Sequence, residues 1–276
     1  MRSENRGRPQ HPVPLVSIVT PSYNQGDYLE ETIRSVLDQG YPRLEYIVMD
    51  GGSTDGSVDI IRKYADRIAH WESGRDAGQA DALRRGFAMA TGEVFAWLNS
   101  DDSLGPGALA VVGGFFASHP EMELVYGNLN FIDAEGKRIF TAYPVLDLRN
   151  LIYENHFVPQ QAMFWRRGLY EGAGGVDPTL RFAMDFDLTL RFLREGARVA
   201  KIDRVLGNFR IHPEAKSSTI RDVMWQEVNA TITRLFPRLE DGYASRLLKK
   251  YLYRGMRYFK EPRGILAAIA GRGKLG

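Results

Sequence analysis

Apolar residues along the first hundred positions fall into short dense runs separated by polar, Gly-containing turns. Val16–Thr20, Leu44–Met49, Ile68–Trp71 and Val94–Leu98 are β-rich runs of strand length. Between them the apolar positions recur at helical spacing. Leu29, Ile33, Val36 and Leu37 share one face of a helix that opens at Asp27 and stops at Gly40. A second helix runs through Ile60 and Ile61 to Tyr64, and a third spans Ala80–Ala90, closed by Thr91-Gly92. Four alternations of strand and helix predict an α/β fold with a mostly parallel central sheet flanked by helices, joined by right-handed crossovers.

The pattern loosens after Gly105. Ala108–Ala117 reads as a helix, and Leu124–Tyr126 and Asn130–Ile132 as short strands. Asp133–Gly136 reads as a turn before Ile139-Phe140. Gln161–Trp165 and Val199–Ile202 are strands, and Asp187–Arg194 and Val223–Leu235 are helices. The expected organisation is a disordered lead over 1–14, one α/β domain over 15–237 and a tail over 238–276. The domain divides where the pattern loosens, into halves 15–104 and 105–220, which the family resemblance given below labels nucleotide-binding and acceptor halves.

Composition narrows the class. The chain has 276 residues, 44% hydrophobic and 25% charged, as in soluble globular proteins. Its net charge of +2 gives no argument for nucleic acid. The absence of Cys excludes disulfides and thiolate metal sites. The polar start carries no apolar signal-peptide core, so the expected location is cytoplasmic. No stretch approaches the roughly 20 apolar residues that a spanning helix needs. The tail 238–276 holds ten Lys/Arg against three acids, a net +7, which leaves −5 on the rest. Such a basic helical extension offers peripheral contact with the inner face of the plasma membrane. A solvated helix packed by one face is the simpler reading.

Candidate chemistry collects at the strand ends, where open α/β sheets bind ligands. Asp50 ends the second strand, Asp76 follows the third, and Asn99-Ser100-Asp101-Asp102 follows the fourth. Adjacent carboxylates suit a hard cation such as Mg²⁺ or Mn²⁺, which shares its remaining positions with substrate phosphates. The same tetrapeptide is also compatible with a simple turn before the next helix. The first strand–helix turn, Pro21–Asp27, lacks the Gly-x-Gly-x-x-Gly fingerprint, and the chain has no Walker-type phosphate loop.

Several segments in order resemble one family. Val16–Asn24 (VSIVTPSYN) and Tyr46–Asp55 (YIVMDGGSTD) resemble the opening of family 2 glycosyltransferases of the GT-A fold. Gly78–Leu83 and Ala96–Asp102 are similar to the subset acting in bacterial surface-polysaccharide assembly. The resemblance implies an inverting, metal-dependent transfer from a nucleotide-diphosphate sugar, with UDP the default and dTDP next. The implied acceptor is a glycan or lipid-linked glycan. It places Pro21, Ser22, Tyr23, Asp50, Gly52, Asp76, Gly78, Asp81, Ser100, Arg210 and Lys216 around the donor. Asp50 would accept a pyrimidine N3–H, although a loop-stabilising role suits it as well. Asp81 is equally readable as a helix-start acid. Asp101, Asp102 and His212 are the implied metal ligands, with Asn99 standing where the family has its first Asp. Asp185 is the implied catalytic base, with Asp187 as fallback, and Gln160 and Gln161 are acceptor-side residues. Two competitors remain: a sugar-1-phosphate nucleotidyltransferase and a non-catalytic binding module.

Overall fold

The computed structural model describes residues 13–154, 157–216 and 220–237. The expected lead, apart from Val13 and Pro14, and the basic tail lie outside the described residues.

Four parallel strands form the first half of the sheet: β1 (Val16–Ser22), β2 (Leu44–Asp50), β3 (His70–Ser73) and β4 (Val94–Trp97). The helices α1 (Gly26–Leu37), α2 (Ser57–Lys63) and α3 (Gln79–Met89) connect them. The second half contains β5 (Ser103–Leu104), α4 (Ala108–Ser118), β6 (Leu124–Ile132), β7 (Arg138–Ala142) and β8 (Met163–Arg166). It continues with α5 (Arg167–Gly172), α6 (Met184–Arg194), β9 (Val199–Arg210) and α7 (Arg221–Leu235). The strand order is β3-β2-β1-β4-β8-β6-β9-β5, with β7 paired to β6. β8 runs antiparallel to both β4 and β6, so the mixed half joins the parallel half through a reversed strand.

The side-chain period of two builds a core on each face of the sheet. Val16, Ile18, Tyr46, Val48, Val94 and Ala96 point into one core, which α1 completes with Leu29, Ile33 and Val36 and α4 with Val112 and Phe116. Val19, Ile47, Met49, Phe95 and Trp97 point into the other, which α3 fills with Leu83 and Phe87 and α6 with Phe186, Leu190 and Phe192. These strands are covered on both faces, which is why they read as continuous apolar runs.

The second half departs from the expected pattern. β6 is one strand where two were expected, because register shifts on either side of Asn128 absorb the less apolar Gly127-Asn128. β9 continues eight residues past Ile202. Its polar members bond across the ladder: Asn128 Nδ2 donates to Asp203 at 2.8 Å and Asn130 Nδ2 to Asn208 at 3.0 Å. β3 starts two residues late, since it pairs only with the end of β2, from Ile47 to Asp50. Gln160–Ala162 form a 3-10 turn before β8.

That turn packs tightly on β9. A Cβ at Gly207 would overlap the backbone carbonyl of Gln161, which cannot swing aside as a side-chain tip could. Gly207→Ala is expected to lower stability by about 1–3 kcal/mol, measured by urea unfolding.

Candidate active site

Loops at the carboxyl ends of β1, β2 and β4 are tied together by their own polar side chains. Gly51 N–H donates to the Ser22 carbonyl at 2.8 Å. Asn24, the described non-glycine residue with positive φ (49°), accepts Thr54 N–H at 2.9 Å and donates to Ser53 Oγ at 2.8 Å. Asp55 accepts Gly26 N–H at 2.8 Å and Ser57 N–H at 3.1 Å, satisfying the starts of α1 and α2.

Asp50 belongs to this scaffold. Its carboxylate accepts Gly52 N–H (3.1 Å), Ser53 N–H (2.9 Å), Ser53 Oγ (2.5 Å) and Ser73 Oγ (2.6 Å). It is 3% exposed and does not line the cleft that these loops border. Gly52 (φ 84°) turns the same loop outside the lining. Its neighbour Gly51 is in the wall, threaded between the Asp76 carboxylate and the Tyr23 ring, each 3.2–3.3 Å from where a Cβ would stand.

The cleft measures about 860 Å³. Pro21, Ser22, Tyr23, Asp76, Gly78, Ser100, Asp101, Asp102 and Lys216 line it, and so do Gln160, Gln161 and Asp185, whereas His212 does not. Tyr23 is 62% exposed and presents a ring face to it. Asp76 accepts Gly78 N–H at 2.8 Å, which shapes the turn into α3. Asp81 stays outside, bonded to Arg84 at 2.9 Å in the first turn of α3, so the helix-start role describes its position.

The two adjacent acids face different ways. Asp102 is 2% exposed. Its oxygens accept Arg210 N–H (2.9 Å), Gln161 Nε2 (2.8 Å) and Asn99 Nδ2 (3.3 Å). Burial, and then the charge of Asp101, push its pKa well above the carboxylate range. Asp101 instead meets His212, Oδ2 to Nε2, at 3.1 Å. Among the described residues, no three His, Cys, Asp or Glu side chains gather as a cation site. Of the expected trio, Asp101 and His212 meet, while the Asp102 oxygens are taken by Arg210, Gln161 and Asn99. The separation of Asp101 and His212 matches neighbouring corners of an octahedron of ~2.1 Å bonds, so the pair fits two ligands of one cation. A carboxylate oxygen with an imidazole nitrogen suits Mn²⁺ better than the all-oxygen preference of Mg²⁺.

Arg210 is not in the cleft wall. It is 1% exposed, and its N–H groups donate to the carbonyls of Asp101 (2.9 Å), Asp133 (3.2 Å) and Ala134 (2.9 Å) and to Glu31 (2.5 Å). The expected phosphate contact is thus a strut holding the acidic loop, the β6–β7 turn and α1 together. α1 grips the same loop through Thr32 Oγ1, within 2.9 Å of the Ser100 carbonyl and 2.7 Å of the Asp102 carbonyl. Gln160 and Gln161 line the cleft, but their amides hold Trp97 O (2.6 Å) and Asp102 (2.8 Å) respectively.

A chain of side-chain bonds crosses the floor. Lys216 Nζ donates to Gln79 Oε1 at 2.9 Å, Gln79 Nε2 to Asn99 Oδ1 at 2.8 Å, and Asn99 Nδ2 to Asp102. Asn99 supplies a donor to the buried carboxylate, which an Asp could do only when protonated. Gln79 and Arg75 are cleft residues that sequence reading passed over, although both adjoin motifs it used. Trp225, 49% exposed on α7, and its neighbour Met224 also line the wall, with no signal beyond an amphipathic helix.

At the opposite wall, α6 presents Asp185, its second residue. Desolvation raises its pKa to about 6, while the Phe186 N–H (2.7 Å) and Lys216 pull the other way. Asp187 is fully buried and faces away. Arg191 reaches its Oδ2 at 2.9 and 2.6 Å and Arg234 its Oδ1. The fallback is corrected accordingly: Asp187 is an ion-paired strut.

The chain matches the model of Glycosyl transferase family 2 over residues 17–171. The chain belongs to that family. It is a glycosyltransferase, with a GT-A-like fold. A PGL/p-HBAD biosynthesis glycosyltransferase of Mycobacterium bovis BCG is 31% identical over 70% of this chain and 75% of its own. Among solved structures, S. aureus TarS 1-349 in complex with UDP superposes with a TM-score of 0.63 at 19% identity, covering 90% of this chain and 73% of that one. The mannosyltransferase PcManGT from Pyrobaculum calidifontis, in complex with GDP-Man and Mn²⁺, gives 0.61 at 19% identity, over 94% and 74%. Among the described residues, no helix is long and apolar enough to cross a membrane.

A carboxyl held near pKa 6 in the fold and near 4 in the open chain ionises at a cost to stability. The increment is absent below pH 4 and complete above pH 6. Asp185→Asn is therefore expected to be about 1–3 kcal/mol more stable than wild type at pH 8, with the gap closing at pH 4, by urea unfolding at both.

Proposed function

We propose that this chain is an inverting glycosyltransferase that moves a sugar from a nucleotide-diphosphate donor, UDP by default, onto a hydroxyl of a glycan or lipid-linked glycan. One observation carries the reading. A single cleft brings together Tyr23, Asp76, Asp101 with the buried His212 against it, and a carboxylate whose pKa is raised to about 6.

Each residue takes the role its position allows. The exposed Tyr23 ring stacks on the base, as an aromatic face does with any nucleobase. Asp50 acts indirectly by setting the loop that carries Gly51. Asp76 faces the donor sugar, and Lys216 offers its ammonium to the diphosphate as a point charge. Asp101 and His212 would hold a divalent cation, which when bound neutralises charge on the departing diphosphate.

Asp185 is the base. Its carboxylate takes the proton of the acceptor hydroxyl as that oxygen bonds to the anomeric carbon. The bond from that carbon to the diphosphate oxygen breaks on the opposite face, which inverts the configuration. A base with pKa near the working pH combines adequate ionisation with proton affinity. The TarS complex with UDP and the PcManGT complex with Mn²⁺ support the choice of donor and ion.

A thermal-shift screen of nucleoside diphosphates with and without Mn²⁺ tests the donor and cation. A stabilising shift that needs both supports the reading, and no shift with any nucleotide counts against it. Asp185→Asn is expected to abolish transfer while the nucleotide shift persists. In wild type, kcat/KM should fall tenfold per unit as pH drops below about 6, because the base must be ionised in the free enzyme. Full transfer by Asp185→Asn would overturn the assignment.

A further inference from the structure

The start of α6 has no cap of its own, since its N-cap is Ala183 and no side chain there accepts a helix N–H. The cap comes instead from α7, more than forty residues later. Glu227 Oε1 accepts Arg181 N–H at 2.8 Å, and Oε2 accepts Phe182 and Ala183 N–H at 2.8 and 2.9 Å. One carboxylate thus satisfies three consecutive amides of the turn that leads into α6, the last of them that of the N-cap residue Ala183. Asp185 is two residues beyond the last of them.

Glu227 lies on the stripe of α7 that faces the cleft and α6. Met224, three residues before it, and the adjacent Val228 line the same cleft as Asp185. One turn of the stripe further on is Thr231, and then Arg234 pairs with Asp187. α7 therefore grips α6 at two points, on either side of Asp185. Negative charge at a helix start is favourable in itself, and stability alone would explain any such contact. The position of this one says more. The three amides belong to the turn that delivers the cleft carboxylate, and their positive ends are already engaged. Asp185 is left with the Phe186 N–H and its own.

We propose that Glu227 is a positioning residue for Asp185, fixing from α7 the helix turn that aims this carboxylate into the cleft. The inference rests on the reading of Asp185 as the base. Without Glu227, the turn 181–183 has three unsatisfied amides and reorients to find water. Their field then falls on Asp185, alongside Lys216 from the segment after β9 and Arg181 before the helix. Asp187, on the same helix, remains neutralised by Arg191 and Arg234.

The test uses the full chain with the nucleoside diphosphate that gives the largest thermal shift and the matching sugar donor. Glu227→Ala is expected to lower kcat at least tenfold, with donor KM and nucleotide affinity within twofold of wild type. Its acid limb of kcat/KM should move down by about half a pH unit, the size of one helix-terminus interaction. Glu227→Gln keeps one acceptor oxygen, which can hold the Phe182 and Ala183 N–H groups but not that of Arg181 as well, and should recover part of the kcat. A Glu227→Ala enzyme with wild-type kcat and pH profile overturns the proposal. So does a loss of kcat that Gln does not recover and that follows the unfolded fraction measured by circular dichroism. Asp185→Asn, run in parallel, separates the two levels: if it still transfers, the base assignment fails and not the contact.

Discussion

Two neighbouring carboxylates repel each other when both are ionised, and the candidate active site is organised around that constraint. The structure resolves it by division. Asp102 turns inward, where a backbone N–H of β9 and two amide side chains receive it. Asp101 turns outward to His212. For this to hold, the loop must be gripped from several sides, and it is: by Thr32 of α1, by Gln161 of the 3-10 turn and by Arg210 at the end of β9. A buried guanidinium that spends its N–H groups on main-chain carbonyls fixes backbone positions, which an ion pair alone does not. The cleft wall is thus held in part by residues that do not line it, Thr32 and Arg210.

The parallel half of the fold was legible because each strand is covered on both faces and each helix on one. Burial of that kind writes itself as apolar runs and helical spacing. The mixed half was not, because its strands are held by cross-strand polar pairs such as Asn128–Asp203 and by register shifts, which break the period of two. The candidate site divides similarly. That carboxylates at separate strand ends would face one cavity was readable for Asp76 and Asp101, since strand direction determines where loops emerge; Asp50, read in the same way, is behind the wall, and Asp185, at a helix start, came from the family resemblance. Which member of a pair faces inward was not readable. Asp102 and Asp187 differ from their neighbours only in what lies behind them, and the residues behind them are distant in sequence: Gln161 and Arg210 for one, Arg191 and Arg234 for the other. Arg210 misled for the same reason, since a basic residue near a phosphate site and a basic residue under an acidic loop look alike in one dimension.

The helix α7 carries a larger share of the site than its sequence announces. It walls the cleft with Met224, Trp225 and Val228, caps α6 and neutralises Asp187. The family model matches 17–171, which ends before both α6 and α7. The strand-end loops and the wall that carries Asp185 come from different stretches of sequence and meet across the sheet.

The bonds from Lys216 through Gln79 and Asn99 to Asp102 all point the same way. Each amide has an oxygen end and a nitrogen end, so the series has a single sense, from ammonium to carboxylate, and neighbours along it polarise one another. Such a series cannot be altered at one link alone. If a bound anion draws the ammonium away, Gln79 keeps a bare oxygen toward the cleft unless it rotates, and rotation would set its nitrogen against the ligand's side and its oxygen against Asn99. An arrival at the rim is thereby felt by the most deeply placed carboxylate of the site, without any movement of the backbone.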